Sequence, residues 1–91
     1  MNVVVFGSLK RCAPCRQLHR VLGRYLEANP TAKGLIEFTD VDEGLNLVYA
    51  EHHNVMAIPT TIVFMDGEEV KRHVGAMSDE QFALFMGELT A

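Results

Sequence analysis

The sequence predicts an α/β fold built from one four-stranded mixed sheet and three helices, in the order β-α-β-α-β-β-α. Three observations predict this fold: a β-branched apolar run opens the chain, apolar residues then recur at helical spacing, and an Asp-Gly pair separates two strand-like segments near residue 66. Right-handed crossovers make the first two strands parallel, and the hairpin adds two more strands to the same sheet.

The first strand and helix follow directly from the local pattern. Residues 2–6 form a buried strand that Gly7 and Ser8 close, and a helix is expected from about Cys12. Five apolar residues recur at helical spacing in this segment and predict the helix: Leu18, Val21, Leu22, Tyr25 and Leu26. Pro14 is tolerated in the first turn, where amide groups lack intrahelical partners, and the pair at 29–30 (Asn-Pro) ends the helix.

The middle of the chain predicts a second strand and a short helix. Residues 35–41 cluster enough apolar side chains for a strand. Asp42 is expected to cap a short helix that bears Leu45, Val48 and Tyr49. Asn54 is a plausible left-handed stop for that helix.

The last third predicts a hairpin followed by a helix. Residues 60–65 and 69–74 are the two strands, with Asp66-Gly67 as the turn. Residues 78–81 form a capping box ahead of the final helix. That helix carries one apolar stripe, which we interpret as core: Phe82, Phe85, Met86 and Leu89.

The length and the first residues limit the organisation of the chain. Ninety-one residues with 48% apolar content suffice for one compact domain, so residues 1–91 are expected to form a single unit. There is no basic leader, the opening apolar run is too short for a signal peptide, and no stretch approaches a membrane span. We therefore expect a cytoplasmic, monomeric protein that makes no contact with membranes.

Positive charge is concentrated in residues 1–26, which hold five bases and no acid: Lys10, Arg11, Arg16, Arg20 and Arg24. The rest of the chain carries three bases and twelve acids, and the whole has a net charge of −4. The basic segment is either an ordinary solvated helix face or a surface that steers acidic partners and lowers a thiol pKa. Nucleic-acid binding is disfavoured, because the total charge is negative and no aromatic residues are interleaved with the bases.

The two cysteines, Cys12 and Cys15, are the strongest functional signal. A close pair in a chain too poor in cysteine for a disulfide framework indicates redox chemistry or metal binding. The pair lies where a strand ends and a helix begins, and free amides there stabilise a thiolate. Cys12, at the helix entrance, is the expected nucleophile, its pKa lowered by the amides and by nearby bases, and Cys15 is the expected resolving thiol.

Half of a zinc site has the same Cys-x-x-Cys spacing, so zinc binding is an alternative interpretation of the pair. The remaining ligands would have to be histidines, for which His19, His52, His53 and His73 are the candidates. Neither an HxxxH pattern nor a second Cys-x-x-Cys pair is present. We therefore expect no bound metal. His19 follows Cys15 by four residues, but a single helical histidine is more often a surface residue, and we assign it no catalytic role.

Two segments together resemble the thioredoxin family. Residues 12–15, Cys-Ala-Pro-Cys, are similar to the family's Cys-Gly-Pro-Cys at the same strand-to-helix junction. Residues 55–60, Val-Met-Ala-Ile-Pro-Thr, are similar to the segment that holds its cis-proline, and a strand, a hairpin and Gly75 follow in the family's order. The resemblance extends over nearly the whole chain from Val3, and it implies a minimal thioredoxin fold.

The resemblance also implies the site and its chemistry. Ile58-Pro59 would be a cis peptide bond placed against the cysteines, where the proline blocks metal capture and the Ile58 backbone pairs with an extended substrate. The expected substrate-binding positions are Arg11, Ala13, Pro14, Ile58, Pro59, Val74 and Gly75. The implied activity is reduction of protein disulfides, with recharging by a flavin-dependent thioredoxin reductase or, alternatively, the glutathione system. No bound cofactor is expected.

Three departures from the family pattern stand out. Arg11 occupies the position where thioredoxins have Trp, and the strand at 3–6 offers no counterpart of the family's buried aspartate. The family's leading strand and helix do not precede that strand, which makes the architecture as short as a glutaredoxin. A glutathione-linked glutaredoxin is therefore the second interpretation, although its Cys-Pro-Tyr-Cys order is not matched. A non-catalytic binding module that keeps the fold is the third.

Overall fold

The structure, a computed structural model, describes residues 1–90. The predicted order β-α-β-α-β-β-α is confirmed. The elements are β1 (Asn2–Gly7), α1 (Ala13–Ala28), β2 (Ile36–Asp40), α2 (Asn46–His52), β3 (Thr60–Met65), β4 (Glu68–Val74) and α3 (Asp79–Thr90). A 3₁₀ turn at Pro30–Ala32, which the sequence did not predict, follows α1. The predicted unit 1–91 ends at Ala91, which lies outside the described residues.

The four strands form one sheet in the order β2-β1-β3-β4, with β1 at its interior. β1 runs parallel to β2, and β3 is antiparallel to β4, as predicted. The structure adds that β1 and β3 are antiparallel neighbours. The hairpin turn uses positive φ angles at Asp66 (51°) and Gly67 (82°). These angles fit the primed turn that an Asp-Gly pair favours.

The helices cover both faces of the sheet, because the strand side chains alternate between them. Val3, Val5 and Val63 project to the face covered by α1 and α3, where they pack with Leu18 and Phe82. Val4, Phe6, Ile62 and Phe64 project to the opposite face, toward Ala50 of α2. We call the first of these the α1/α3 face. The cysteine pair lies at the end of β1, where α1 begins.

Two of the three features predicted at helix ends are confirmed. At α3 the capping box is confirmed: Ser78 N–H donates to Gln81 Oε1 (2.8 Å), and Gln81 N–H donates to Ser78 Oγ (3.1 Å). Asn54 has the predicted left-handed conformation, with φ 58°. The prediction that Asp42 caps α2 is wrong, because the N-cap is Leu45 and its side chain makes no capping hydrogen bond.

The apolar residues predicted for α2 also differ from expectation. Leu45 is 80% exposed and Val48 is 60% exposed, whereas the side chain that α2 buries belongs to Ala50. Tyr49 is exposed as well, although its ring packs against Phe6 with centroids 5.3 Å apart. Within residues 1–90, no helix is long and apolar enough to cross a membrane.

Candidate functional site

Cys12 and Cys15 are joined by a disulfide, with their Cα atoms 5.2 Å apart. Cys12 is the N-cap residue of α1, in an extended conformation, and its sulfur accepts the backbone N–H of Cys15 at 3.2 Å. This is the end of a helix at which unpaired amides favour negative charge. Cys12 is half-buried, whereas Cys15 is fully buried.

Gly7 allows the close approach of the second cysteine to the sheet. A Cβ atom at Gly7 would lie 3.0 Å from the Sγ of Cys15 and 2.9 Å from the Cζ of Phe38. Real Cβ atoms essentially never lie within 3.0 Å of another heavy atom, so a side chain here would displace one of these groups. Cys15 therefore sits directly on the backbone of β1, beside the ring of Phe38.

The loop that precedes β3 brings a second backbone segment to the cysteines. The Ile58-Pro59 peptide bond is cis, as the resemblance implies. The carbonyl oxygen of Ile58 lies 3.8 Å from the Sγ of Cys12. Thr60 Oγ1 donates to the carbonyl of Ala57 across this turn, at 2.5 Å. The hydrogen bond between Thr60 and Ala57 thus closes a turn whose Ile58 carbonyl lies beside Cys12.

Four other expected substrate-binding positions lie either in the first turn of α1 or at the end of β4. Ala13 and Pro14 are exposed in the first turn of α1. Gly75 follows β4, has φ 106°, and donates its N–H to the carbonyl of Pro59 at 2.8 Å. Val74 pairs in register with Thr60 and is 58% exposed. The structure therefore places the end of β4 next to the cis-proline turn.

Arg11 is held in an ion pair, which the sequence did not indicate. Its Nη2 lies 2.5 Å from Asp42 Oδ1, and Ser8 Oγ donates to the other carboxylate oxygen, Oδ2, at 2.5 Å. The hydrogen bond from Arg11, and then that from Ser8, lowers the pKa of Asp42 below its ordinary value. Asp42 in turn raises the pKa of Arg11 above its ordinary value. Much of the Arg11 charge beside the cysteines is thus compensated by a carboxylate.

Ser8 and Asp42 are site residues that sequence reasoning missed. Ser8 is fully buried, and its Oγ also accepts the backbone N–H of Arg11 at 3.1 Å. The three side chains therefore tie the loop before Cys12 to the chain that follows β2. A small hydroxyl residue at the end of β1 and a carboxylate after β2 were visible in the sequence, but only the parallel pairing of the two strands brings them together.

The basic segment of α1 is also partly engaged in hydrogen bonds. Arg16 Nη1 donates to the carbonyl of Leu9 at 3.0 Å, and Arg24 pairs with Asp79 at 2.9 Å. Both contacts are exposed, so they are screened by solvent and contribute little stability. In the part of the chain that the structure describes, His, Cys, Asp and Glu side chains form no group of three or more that could hold a metal ion.

The chain is similar in sequence to curated thioredoxins. A thioredoxin of Staphylococcus aureus is 42% identical over 72 residues, which make up 79% of this chain and 66% of that protein. The chain thus spans slightly less than two thirds of the length of the curated relatives it matches.

Solved structures share the fold. The thioredoxin of Malassezia sympodialis superposes with a TM-score of 0.74 at 23% identity, covering 98% of this chain and 74% of that chain. The thioredoxin of Fasciola hepatica gives a TM-score of 0.72 at 28% identity, covering 94% of this chain and 77% of that chain. The family model described as Thioredoxin matches residues 2–88. With its cysteine pair at the mouth of α1 beside a cis-proline turn, the chain belongs to the thioredoxin family.

Proposed function

We propose that this protein is a thiol–disulfide oxidoreductase that reduces protein disulfides through Cys12 and Cys15. The observation that carries the proposal is the unequal placement of two bonded sulfurs. Cys12 caps a helix and is partly exposed, while Cys15 lies fully buried one turn further on. One sulfur can therefore reach a partner protein, and the other can reach only its neighbour.

The first step uses the reduced pair. The thiolate of Cys12, stabilised at the helix mouth by the N–H of Cys15, attacks one sulfur of the substrate disulfide. A new S–S bond forms between Cys12 and the substrate, and the substrate S–S bond breaks. The other substrate sulfur leaves as a thiolate and takes a proton from solvent.

The second step releases the substrate. Cys15 gives up its proton, ultimately to the departing substrate sulfur, and attacks the Sγ of Cys12. The Cys12–Cys15 bond forms as the mixed disulfide breaks. Two electrons have then passed from the protein to the substrate, which takes up one proton from solvent and one from Cys15 and leaves as a dithiol. The 5.2 Å separation of the two Cα atoms lies within the range that a disulfide spans.

The substrate groove of this proposal surrounds the Cys12 sulfur. An extended substrate segment would pair with the backbone of Ile58, whose carbonyl lies 3.8 Å from that sulfur. The other groove positions are Arg11, Ala13, Pro14, Pro59, Val74 and Gly75. The exposure of Ala13, Pro14 and Val74 and the bond between Gly75 and Pro59 support this assignment.

The partners of the proposed function are disulfide-containing proteins and a thioredoxin reductase. The supporting observations are the family membership and the cysteine pair. The cycle needs no bound cofactor, because the two sulfurs carry both electrons. A cytoplasmic, monomeric protein suits this role, since the reduced pair has to persist between encounters.

Insulin disulfide reduction tests the proposal directly. We expect turnover with NADPH and a thioredoxin reductase, none in Cys12→Ser, and none when glutathione and glutathione reductase replace the thioredoxin reductase. Support of turnover by glutathione alone would instead indicate a glutaredoxin. Absence of turnover in the wild type with both systems, together with partner binding unaffected by Cys12→Ser, would indicate a binding module.

The separate roles of the two cysteines are tested by trapping. Cys15→Ser should accumulate a mixed disulfide between Cys12 and the substrate, because only the second step needs Cys15. Mass spectrometry of the non-reduced protein after exposure to substrate detects the adduct. Absence of an adduct in Cys15→Ser, or its presence in Cys12→Ser, would contradict the assigned roles.

A further inference from the structure

Thr61 carries a buried hydroxyl that is left without a hydrogen-bond partner. Thr61 is fully buried in β3, and among the described residues its Oγ1 is the one buried side-chain oxygen or nitrogen with no partner. The other buried hydroxyls are both engaged, that of Ser8 with Asp42 and that of Thr60 with the carbonyl of Ala57. A buried polar group without a partner costs free energy, so its presence requires an explanation.

The sheet register places this hydroxyl on the face where the cysteines lie. Thr61 pairs with Val5 of β1 and alternates with Val63, and both valines pack against α1 and α3. Gly7, two residues after Val5, projects to the same face, directly under the Sγ of Cys15. Thr61 is therefore the polar residue of β3 that projects to the α1/α3 face next to the Cys15 site.

Cys15 needs such a partner when it reacts. It is fully buried, and β1 supplies only apolar side chains to this face before Gly7. A negative charge that develops on a buried sulfur is costly unless a donor solvates it. In the disulfide form, Cys15 is only a weak acceptor and carries no charge, so the donor has little to bind.

We propose that the hydroxyl of Thr61 donates a hydrogen bond to the sulfur of Cys15 when the disulfide is reduced, and that it stabilises the Cys15 thiolate during release of the substrate. This inference rests on the proposed function for its place in the cycle. The bond is made only in the reduced and mixed-disulfide forms. The cost of leaving Thr61 unpaired falls on the oxidised form.

Titratable side chains around the same face have to be distinguished from Thr61 as the group that acts on Cys15. His73 of β4 is the register partner of Thr61, and its ring lies 6.4 Å from that of Phe85 in α3. His19 of α1 is exposed and packs its ring edge-on to Phe38 at 5.0 Å. Asp40 of β2 pairs in register with Gly7 and accepts the N–H of Asp42 at 2.9 Å.

The buried residues that α3 contributes to this face are apolar: Phe82, Phe85 and Met86. Lys71 of β4 also lies on this face, with its Nζ 4.4 Å from the ring centroid of Phe85 and paired with Glu88 of α3. Tyr25 of α1 packs its ring against Phe82, and Cys12 is the partner sulfur of Cys15. Matched substitutions of three of the titratable neighbours, His19→Gln, Asp40→Asn and His73→Gln, therefore serve as controls for the role of Thr61.

The first experiment measures the pKa of Cys15 in isolation from activity. In a Cys12→Ser background, with cysteine labelled by ¹³C at Cβ, the chemical shift of Cys15 is followed by NMR against pH. Thr61→Val should raise the pKa of Cys15 relative to the Cys12→Ser parent, because it removes the donor and keeps the shape. Thr61→Ser should retain the parent pKa, because it keeps the hydroxyl.

The second experiment separates the two steps of the reaction. The reduced wild type and the Thr61 variants, all with Cys12 intact, are mixed with dithiobis(nitrobenzoate). The reagent releases one thionitrobenzoate when Cys12 attacks and a second when Cys15 resolves the adduct. Thr61→Val should leave the first release unchanged and slow the second by about tenfold, the effect of losing one hydrogen bond to a charged group. Thr61→Ser should release both at wild-type rates.

The outcomes separate this inference from the proposed function. If the wild type fails to release two equivalents, the proposed dithiol chemistry fails. If the wild type releases both but Thr61→Val changes neither the pKa of Cys15 nor the second rate, the inference about Thr61 is wrong. A shift of the Cys15 pKa in His19→Gln, Asp40→Asn or His73→Gln, without one in Thr61→Val, would overturn it in favour of that residue.

A check on folding keeps the test interpretable. Oxidised Thr61→Val should unfold at the same temperature as the wild type or a higher one, because the lost hydroxyl has no partner in that form. A large decrease in the unfolding temperature would show that the hydroxyl already makes a stabilising bond in the oxidised protein, which contradicts the proposal.

Discussion

The guanidinium of Arg11 and the carboxylate of Asp42 form an ion pair beside the redox site, with the Nε and Nη2 atoms of Arg11 at 3.1 and 2.5 Å from the same oxygen. The other oxygen accepts the hydroxyl of Ser8, which itself accepts the N–H of Arg11. These bonds close a ring that fixes the residues immediately before Cys12. Arg11 occupies the position where thioredoxins have Trp, and the carboxylate of Asp42 holds its side chain in place.

Asp42→Asn should loosen the loop without unfolding the protein. The substitution removes the charge that holds Arg11 but leaves an oxygen that can accept from Ser8. We expect the backbone amide of Arg11 to exchange with solvent several-fold faster, while amides in the centre of β1 are unaffected. Amide hydrogen exchange followed by NMR measures both. Equal exchange of Arg11 in the two proteins would show that the ion pair does not hold the loop.

The stability that the hydrogen bonds of Asp42 contribute should decrease as the pH falls. Hydrogen bonds from Arg11 and Ser8 lower the pKa of Asp42 in the folded protein, so the unfolded chain binds its proton at higher pH. The contribution of Asp42 to stability is therefore fully present above the ordinary aspartate pKa, about 3.9, and is lost as the pH falls through the lowered folded value. An NMR titration of the Asp42 carboxyl carbon should give a lower midpoint in the folded protein than in the urea-unfolded chain. A midpoint in the folded protein at or above that of the unfolded chain would contradict the assigned contacts.

Gly7→Ala should destabilise the protein by placing a methyl group against Phe38 and Cys15. The new Cβ would lie 2.9 and 3.0 Å from these side chains, and overpacking of a core costs roughly 1–3 kcal/mol. Urea denaturation of the oxidised protein measures the loss. Gly23→Ala is the matched control, because nothing lies within 4 Å of its Cβ position and alanine favours a helix interior. We expect Gly23→Ala to be neutral or stabilising, and a loss as large as that of Gly7→Ala would refute the packing argument.

Arg72→Lys should weaken the link between β4 and the segment that leads to the cis-proline turn. Arg72 donates from Nη2 to the carbonyl of His53 (2.6 Å) and from Nη1 to that of Asn54 (3.2 Å), and it also pairs with Glu69. A lysine cannot make this fork, and the loss of the carbonyl bonds should cost roughly 1–2 kcal/mol. Urea denaturation measures the change.

Glu69→Gln is the control for that substitution. It removes the ion pair but leaves Arg72 able to donate to both carbonyls, so its effect should be clearly smaller. An equal effect of Glu69→Gln and Arg72→Lys would place the stabilisation in the ion pair and not in the carbonyl bonds.

Much of the fold could be predicted because its signals are local. The β-branched run of β1, the turn at Asp66 and Gly67 and the capping box at Ser78 each depend on neighbours in sequence, and all three are confirmed. The cysteine pair was identified in the same way, since its spacing and its place between a strand and a helix are both visible in the chain.

The predictions that failed depend on partners distant in sequence. Asp42 precedes a short helix and has the chemistry of a cap, yet it binds Ser8 and Arg11, respectively 34 and 31 residues away. Nothing near Asp42 in the sequence distinguishes these two roles. Thr61 likewise fits any β-rich run, and its unpaired hydroxyl becomes evident only from the register of β3 with β1.

The most direct test of the proposed dithiol chemistry is an equilibrium redox titration of Cys12 and Cys15, in which free thiols are alkylated and counted by mass spectrometry. We expect both thiols to become protected together, in one two-electron transition that leaves an intramolecular bridge. If the two cysteines are instead oxidised independently, or remain open to alkylation under mild oxidants, the sulfurs do not act as a pair and the proposed reaction is wrong.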